Sequence, residues 1–141
     1  MWFRALSLVS GISWLAAATV LAQAPMASVW DGVYTPEQAV RGKETYVIFC
    51  AGCHADDLAG TNSGDSGAPP LKGDSFMRGS TVGALHAKIR KTMPQDAPGT
   101  LREGDVADVV AYILEENGFP AGKTPLSTTP SDSDGIRIDP R

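Results

Sequence analysis

Apolar residues recur at helical spacing in three stretches of the chain, and each stretch predicts one helix. The first is expected to run from about Pro36 to Cys50. Thr35 suits its N-cap, Pro36 suits its first helical position, and Gln38 completes a capping-box pattern. The apolar positions of this helix return every three or four residues along one face, and they are Ala39, Gly42, Tyr46 and Phe49.

The second helix is expected to begin at Ser80 or Thr81. It should end at Met93, because a residue that precedes proline avoids helical geometry and Pro94 follows. Three cationic residues lie near its C-terminal end, namely Lys88, Arg90 and Lys91. Its apolar positions again form one stripe, and they are Val82, Leu85 and Ile89.

The third helix should open with Thr100 and Glu103, which have the spacing of a capping box, and stop at Asn117-Gly118. Its apolar face consists of Val106, Val109, Val110, Ile113 and Leu114, with Tyr112 beside it. No stretch of the sequence reads as a convincing strand. The predicted fold class is therefore all-α, with three main helices and long loops.

The first 24 residues have the layout of a secretory signal peptide. Arg4 precedes a long apolar run that ends in Ala22-Gln23-Ala24, small residues at the positions that a signal peptidase checks. Cleavage after about Ala24 would make the protein periplasmic. The alternative is an uncleaved membrane anchor, because the apolar run is nearly long enough to span a bilayer.

The rest of the chain divides into a lead-in segment (25–34), one folded domain (35–122) and a tail (123–141). The tail is rich in Pro, Ser and Asp, and we expect it to be mobile or loosely wrapped, with no core of its own. Within the domain, Ala55 to Asp74 reads as a long loop. Such loops are uncommon unless they pack onto something, and a buried flat cofactor would give this loop a surface to pack on.

Length and charge narrow the class of protein. The chain of 141 residues suits one domain, and a domain of this size often needs a staple such as a metal or a cofactor. Its net charge of −4 and the absence of a basic stripe argue against nucleic-acid binding. Its two cysteines are three positions apart, which excludes a disulfide framework.

Both cysteines fall in the motif Cys50-Ala51-Gly52-Cys53-His54, and C-x-x-C-H is the pattern of c-type haem attachment. Two thiols at this spacing can each form a thioether to one haem vinyl group, and the following imidazole can bind the iron. A redox dithiol of the thioredoxin type would need a βαβ context, which the predicted elements lack. A closed zinc site would need more Cys or His than the chain has.

Met93 is the expected second iron ligand, because it follows a helix in a Pro-containing loop far downstream of Cys50. His/Met ligation is typical of electron-transfer cytochromes. The alternative for Met93 is a gap-filling role in the core. Its competitors are Met77 and His86, while Met26 lies too close to the predicted mature terminus. His86 lies off the apolar stripe of its helix and is expected to be exposed and not a ligand.

On these residues the sequence resembles a small class I cytochrome c, from roughly Tyr34 to Gly122. Besides the C-x-x-C-H, three segments contribute to the resemblance: Gly42-x-x-x-Tyr46, Ala68-Pro69-Pro70-Leu71-Lys72-Gly73, and Thr92-Met93-Pro94 followed by a closing helix. The resemblance implies that Gly42 packs against an aromatic residue of the last helix, here Tyr112. It also implies that the carbonyl of Pro70 holds the His54 ring, although Pro69 fits that role as well.

The resemblance further implies one covalently attached haem c and a function in single-electron transfer. The segment Asn117 to Gly122 resembles cytochrome domains that accept electrons from periplasmic quinoprotein dehydrogenases. The expected partners are therefore a dehydrogenase as donor and a cytochrome or oxidase as acceptor. The protein would be an electron carrier and not itself an enzyme, either free or as the cytochrome subunit of an oxidoreductase complex.

The sequence leaves two alternatives, one for the iron ligation and one for the cationic group of the second helix. If Met93 does not bind iron, the haem is five-coordinate and the protein would bind small ligands or act as a sensor. The cationic group of the second helix (Lys88, Arg90 and Lys91) would either steer an acidic partner or only complement the helix dipole.

Overall fold

The structure is a computed structural model, and it describes residues 27–61 and 67–139. Within these ranges lie five α-helices: α1 (Pro36–Phe49), α2 (Ala51–His54), α3 (Asp74–Met77), α4 (Val82–Thr92) and α5 (Glu103–Glu116). Two 3₁₀ helices cover Val29–Asp31 and Pro130–Ser133. Two short antiparallel strands, β1 (Ser80–Thr81) and β2 (Arg137–Ile138), pair Ser80 with Ile138 and Thr81 with Arg137. The helical prediction is confirmed, and the strand pair is an addition to it.

The first predicted helix is confirmed as α1, which ends one residue earlier than expected. The Thr35 hydroxyl accepts a hydrogen bond from the Gln38 backbone N–H, and the Gln38 side chain accepts one from the Thr35 N–H, which completes the capping box. Phe49, the last residue of α1, departs from the predicted apolar stripe, since it is 49% exposed.

The packing of α1 against α5 is the most extensive contact between elements of the fold. A Cβ atom on Gly42 would overlap the backbone carbonyl of Asp108 and lie 3.0 Å from the Cβ of Tyr112, so only glycine permits this approach. One turn further on, the rings of Tyr46 and Tyr112 pack with centroids 5.2 Å apart. The expected contact between Gly42 and Tyr112 is thus present.

The other two predicted helices correspond to α4 and α5. Thr81 caps α4 by accepting a hydrogen bond from the Ala84 N–H, and the whole predicted stripe of α4 is buried. The capping box predicted for α5 is wrong, because the Thr100 hydroxyl donates to the Ala97 carbonyl instead. The N-cap of α5 is Arg102, which makes a bidentate ion pair with Asp105 in the first turn.

The tail differs from the expectation of a mobile segment. Leu126, Ser133 and Ile138 are almost fully buried, and the 3₁₀ helix Pro130–Ser133 packs against α4. Gln38 fixes the start of the tail, because its side chain donates to the Leu126 carbonyl (3.1 Å) and accepts from the Leu126 N–H (2.7 Å). The tail therefore completes the core, since it covers faces of α1 and α4 that would otherwise meet solvent.

None of the helices in the described ranges has the length and apolar character needed to cross a bilayer. The predicted signal peptide and Met26 lie outside the described residues.

Candidate functional site

The five residues of the C-x-x-C-H motif form a tight helical turn at the end of α1. Cys50 terminates α1, and its carbonyl accepts hydrogen bonds from the N–H groups of Cys53 (3.1 Å) and His54 (2.9 Å). Cys50 is half-buried, Cys53 is exposed, and both thiols are free. Burial, with a smaller contribution from Cys53, raises the pKa of the Cys50 thiol to about 11, so it is protonated at neutral pH.

His54 is buried, and one ring nitrogen already has a partner. Its Nδ1 lies 2.8 Å from the backbone carbonyl oxygen of Pro69. A carbonyl oxygen can only accept, so Nδ1 must carry the proton and donate. In the neutral imidazole this tautomer leaves the lone pair on Nε2, which is the form that a metal requires of a histidine ligand. The structure assigns this bond to Pro69 and not to Pro70.

The position of Pro69 depends on a close contact between two parts of the loop that follows His54. Gly60 has a φ of +74°, and a Cβ on it would lie 2.5 Å from the Ala68 carbonyl oxygen and 2.7 Å from the Pro70 nitrogen. The Gly60 N–H donates to the His54 carbonyl (2.9 Å). Gly60 therefore lets the Pro69 segment approach the histidine, a role that was missed in the sequence.

Asn117 is a second residue whose role in the site was missed. From the end of α5, its side chain donates to the Leu71 carbonyl (3.0 Å) and accepts from the Gly73 N–H (2.9 Å). The loop from Ala68 to Gly73 is thereby fixed to α5. In the sequence Asn117 indicated only a helix stop, because a contact with a residue 46 positions away has no local signature.

Met93 lies at the C-cap of α4, where its N–H donates to the Ile89 carbonyl. Its side chain is half-buried and packs, like that of Cys50, against the edge of the hydrophobic core. Of its competitors, Met77 is the last residue of α3.

The prediction that His86 is exposed is wrong. The residue is fully buried, and neither ring nitrogen has a hydrogen-bond partner among the described residues. His86 lies on α4, off the apolar stripe of that helix. Both α5 and the 3₁₀ helix Pro130–Ser133 contact α4, so more than one face of α4 is covered. Burial lowers the pKa of His86, although Glu103 opposes this shift.

The cationic group predicted on α4 has two exposed members, Lys88 and Lys91. Arg90 is half-buried and donates to the Gly99 carbonyl at 2.9 Å, so it holds the loop between α4 and α5. A steering surface at this position would therefore rely on the two lysines.

The donor set of the site fits a c-type haem. It offers two free thiols on one helical turn, an imidazole whose Nε2 is free, and a half-buried thioether at the edge of the same core. No group of three or more His, Cys, Asp or Glu residues in the described part of the chain could hold a metal ion.

Comparisons with known proteins point to one family. Residues 37–113, more than half of the chain, match the family described as cytochrome C oxidase, cbb3-type, subunit III. Thiosulfate dehydrogenase of Stutzerimonas stutzeri (strain A1501) is 37% identical over 78 residues, which is 52% of this chain and 25% of that protein. This chain thus spans a quarter of that relative's length.

A solved structure shows a similar fold. The sulfane dehydrogenase SoxCD from Paracoccus pantotrophus superimposes with a TM-score of 0.51 and 20% identity, over 77% of this chain and 61% of that one. At this identity the likeness concerns the fold alone.

Proposed function

The chain belongs to the cytochrome c family described as cytochrome C oxidase, cbb3-type, subunit III, and from this membership we propose that it is a single-electron carrier. It holds one haem c through thioethers to Cys50 and Cys53, with His54 and Met93 as the two iron ligands. The main support is the hydrogen bond from His54 Nδ1–H to the Pro69 carbonyl, which leaves Nε2 free for iron.

Each residue of the site has a separate role in this proposal. When bound, the haem supplies one-electron chemistry at its iron. The thiols of Cys50 and Cys53 would hold the haem, each by adding across one vinyl group, with sulfur on one carbon and hydrogen on the other, so no oxidant would be needed. Pro69 fixes the tautomer and orientation of His54. The Met93 thioether would be the second iron ligand, and such a ligand would raise the reduction potential.

The donor is proposed to be a dehydrogenase, and the acceptor a cytochrome or an oxidase. The similarity to thiosulfate dehydrogenase supports a dehydrogenase donor. The carrier would work in the periplasm, after cleavage near Ala24, either as a free protein or as a subunit of an oxidoreductase complex. Cell fractionation and N-terminal sequencing of the mature protein test this location, and retention of residues 1–24 would favour the anchored subunit.

An absorption spectrum tests the site directly. The protein is purified from a host that makes c-type cytochromes, extracted with acid–acetone, and measured in both oxidation states. We expect haem that resists extraction and a weak sulfur–iron charge-transfer band at the red end of the oxidised spectrum. A protein without haem would contradict the whole proposal, and extractable haem would contradict thioether attachment.

Two methionine variants separate the ligand from its competitor. Met93→Ala should remove the charge-transfer band and let the reduced protein bind CO at once, because the iron loses its sixth ligand. Met77→Leu is the matched control and should keep the band. If Met77→Leu removed the band and Met93→Ala kept it, Met77 would be the ligand. A wild-type protein that binds CO rapidly would favour the five-coordinate sensor.

A further inference from the structure

The residue directly after His54 has an unusual backbone conformation. Ala55 has φ +62° and ψ 159°. This combination belongs to a region of backbone space that is populated almost only by glycine, because a Cβ crowds the neighbouring peptide there. Such a conformation persists only where the surroundings hold it.

The Ala55 carbonyl accepts two hydrogen bonds. The hydroxyl of Tyr46 donates to it at 2.7 Å, and the Leu58 N–H donates at 3.3 Å. Tyr46 is fully buried on α1, and its ring packs against Tyr112 of α5. The shorter of the two bonds thus ties the strained peptide to the most extensively packed helix pair of the fold.

The same turn also determines where Pro69 lies relative to the histidine. The turn that begins at Ala55 ends at Leu58. The Leu58 carbonyl accepts a hydrogen bond from the Leu71 N–H at 2.8 Å. Leu71 is two residues beyond Pro69, whose carbonyl holds His54 Nδ1. A displacement of the Ala55 peptide would therefore move the imidazole and its acceptor relative to each other.

We propose that Tyr46 is a positioning residue for His54: its hydroxyl holds the strained Ala55 peptide and so fixes the imidazole against Pro69. The inference rests on the proposed function, in which His54 binds iron. The competing explanation is that Tyr46 only fills space between α1 and α5. A phenylalanine would serve that purpose equally well, so the hydroxyl distinguishes the two explanations.

The test uses the haem-loaded protein with ¹⁵N-labelled histidine. The readout is the rate at which His54 Nδ1–H exchanges with solvent, measured from its hyperfine-shifted NMR signal, because exchange requires the bond to Pro69 to open. In Tyr46→Phe we expect exchange to become about fivefold faster, the equivalent of one net hydrogen bond, with the absorption spectrum retained.

The matched control is Tyr34→Phe. Tyr34 is also buried, and its hydroxyl also donates to a backbone carbonyl at 2.7 Å, that of Phe119, but near the opposite end of α1. Loss of the Tyr34 hydroxyl should lower thermal stability about as much as loss of the Tyr46 hydroxyl does. It should leave the exchange of His54 Nδ1–H unchanged. Equal effects of the two tyrosine variants on exchange would overturn the proposal.

Ala55→Gly supplies the rescue, because glycine adopts this conformation without strain. Alone, it should slow exchange, and in its presence Tyr46→Phe should accelerate exchange less than it does in the wild type. Additive effects in the double variant would contradict the proposal. If Tyr46→Phe does not incorporate haem, Ala55→Gly still tests the proposal. Unchanged or faster exchange of His54 Nδ1–H in Ala55→Gly would contradict a strained Ala55 peptide.

Failure of the inference can be told from failure of the proposed function. If His54 gives no hyperfine-shifted signal in the wild type, it does not bind iron and the proposed function fails. If the signal is present and the variants do not behave as described, only the role of Tyr46 fails.

Discussion

Gly60 is the residue on which the His54–Pro69 hydrogen bond most directly depends. Alanine at this position would bring a Cβ within 2.8 Å of three backbone atoms of Ala68, Pro69 and Pro70 and would strain a φ of +74°. We expect Gly60→Ala to displace the Pro69 segment, lower the free energy of unfolding by about 2–4 kcal/mol and reduce the yield of haem-loaded protein. Urea unfolding and haem quantification check both effects.

Gly79→Ala is the control for this prediction. Gly79 has the same φ of +74°, but no described atom lies within 4 Å of its Cβ position. Gly79→Ala should therefore lower the free energy of unfolding only by the cost of placing alanine at a positive φ, about 1 kcal/mol, with a normal haem yield. Equal losses in the two variants would mean that the close approach at Gly60 contributes nothing.

His86 should make the stability of the protein depend on pH. Burial lowers its pKa, so the unfolded chain, with an ordinary histidine pKa of about 6.5, takes up a proton that the folded chain resists. The free energy of unfolding should then fall as the pH decreases from 7 to 5, by at most about 1.4 kcal/mol for each pH unit, the limit for one proton. The charged groups that act on His86 are Glu103, which opposes the shift, and Arg90, which adds to it.

His86→Leu tests the sign of this effect by urea unfolding at both pH values. The variant should lose this part of the pH dependence and match the wild type at pH 7, because the two unpaired ring nitrogens are removed from the core. A pH dependence identical to that of the wild type would show that His86 does not titrate on unfolding.

Single residues show where the sequence was informative about the site and where it was not. The C-x-x-C-H motif predicts haem attachment by itself, because the spacing of the thiols and the imidazole is local. The choice between Pro69 and Pro70 is not local, since it depends on how a loop closes onto His54. The burial of His86 was missed because the sequence pattern indicated one apolar stripe on α4, whereas other elements pack against more than one face of this helix.

At the scale of elements, the closeness of α1 and α5 depends on Gly42. A Cβ there would overlap the Asp108 carbonyl, a backbone group that cannot move without moving α5. Gly42→Ala should therefore push the helices apart and lower the free energy of unfolding by about 3 kcal/mol or more. Thermal unfolding followed by circular dichroism measures the loss.

Gly104→Ala provides the comparison for Gly42. Gly104 lies in the first turn of α5, and no described atom is within 4 Å of its Cβ position. Alanine should stabilise the protein there, by about 0.5–1 kcal/mol, because it is the better helix former. A destabilised Gly104→Ala, or a neutral Gly42→Ala, would contradict the packing described for α1 and α5.

The elements were predictable to the extent that their signals are periodic. The apolar stripe of α4 and the capping box of α1 lie at the predicted positions, because both depend on residues three or four apart. The start of α5 was predicted wrongly, since the Arg102–Asp105 ion pair occupies the first turn in place of a threonine cap. The pairing of β1 with β2 joins two-residue segments more than 50 positions apart, which are too short for alternation to show.

At the scale of the whole molecule, the tail is part of the packed core and contacts the first turns of α1 and α4. It binds α1 through Gln38 and packs against α4, whose C-terminal end holds Met93. Its composition, rich in Pro, Ser and Asp, predicted a loose segment because composition does not register the few apolar residues that a tail buries. Two such residues, Leu126 and Ile138, are 4% and 1% exposed.

Leu126→Ala decides between a loose tail and one that belongs to the core. If Leu126 is packed as the structure shows, its truncation should lower the free energy of unfolding by about 2–4 kcal/mol, the usual range for a buried leucine. Val40→Ala, at a position 61% exposed on α1, is the control and should change it by no more than about 0.5 kcal/mol. Urea unfolding followed separately by helical circular dichroism and by the charge-transfer band that we propose for Met93 ligation adds a second test. Because the tail packs against α4, whose C-cap is Met93, both signals should shift together. A shift in the dichroism alone would separate the tail from the proposed haem ligand.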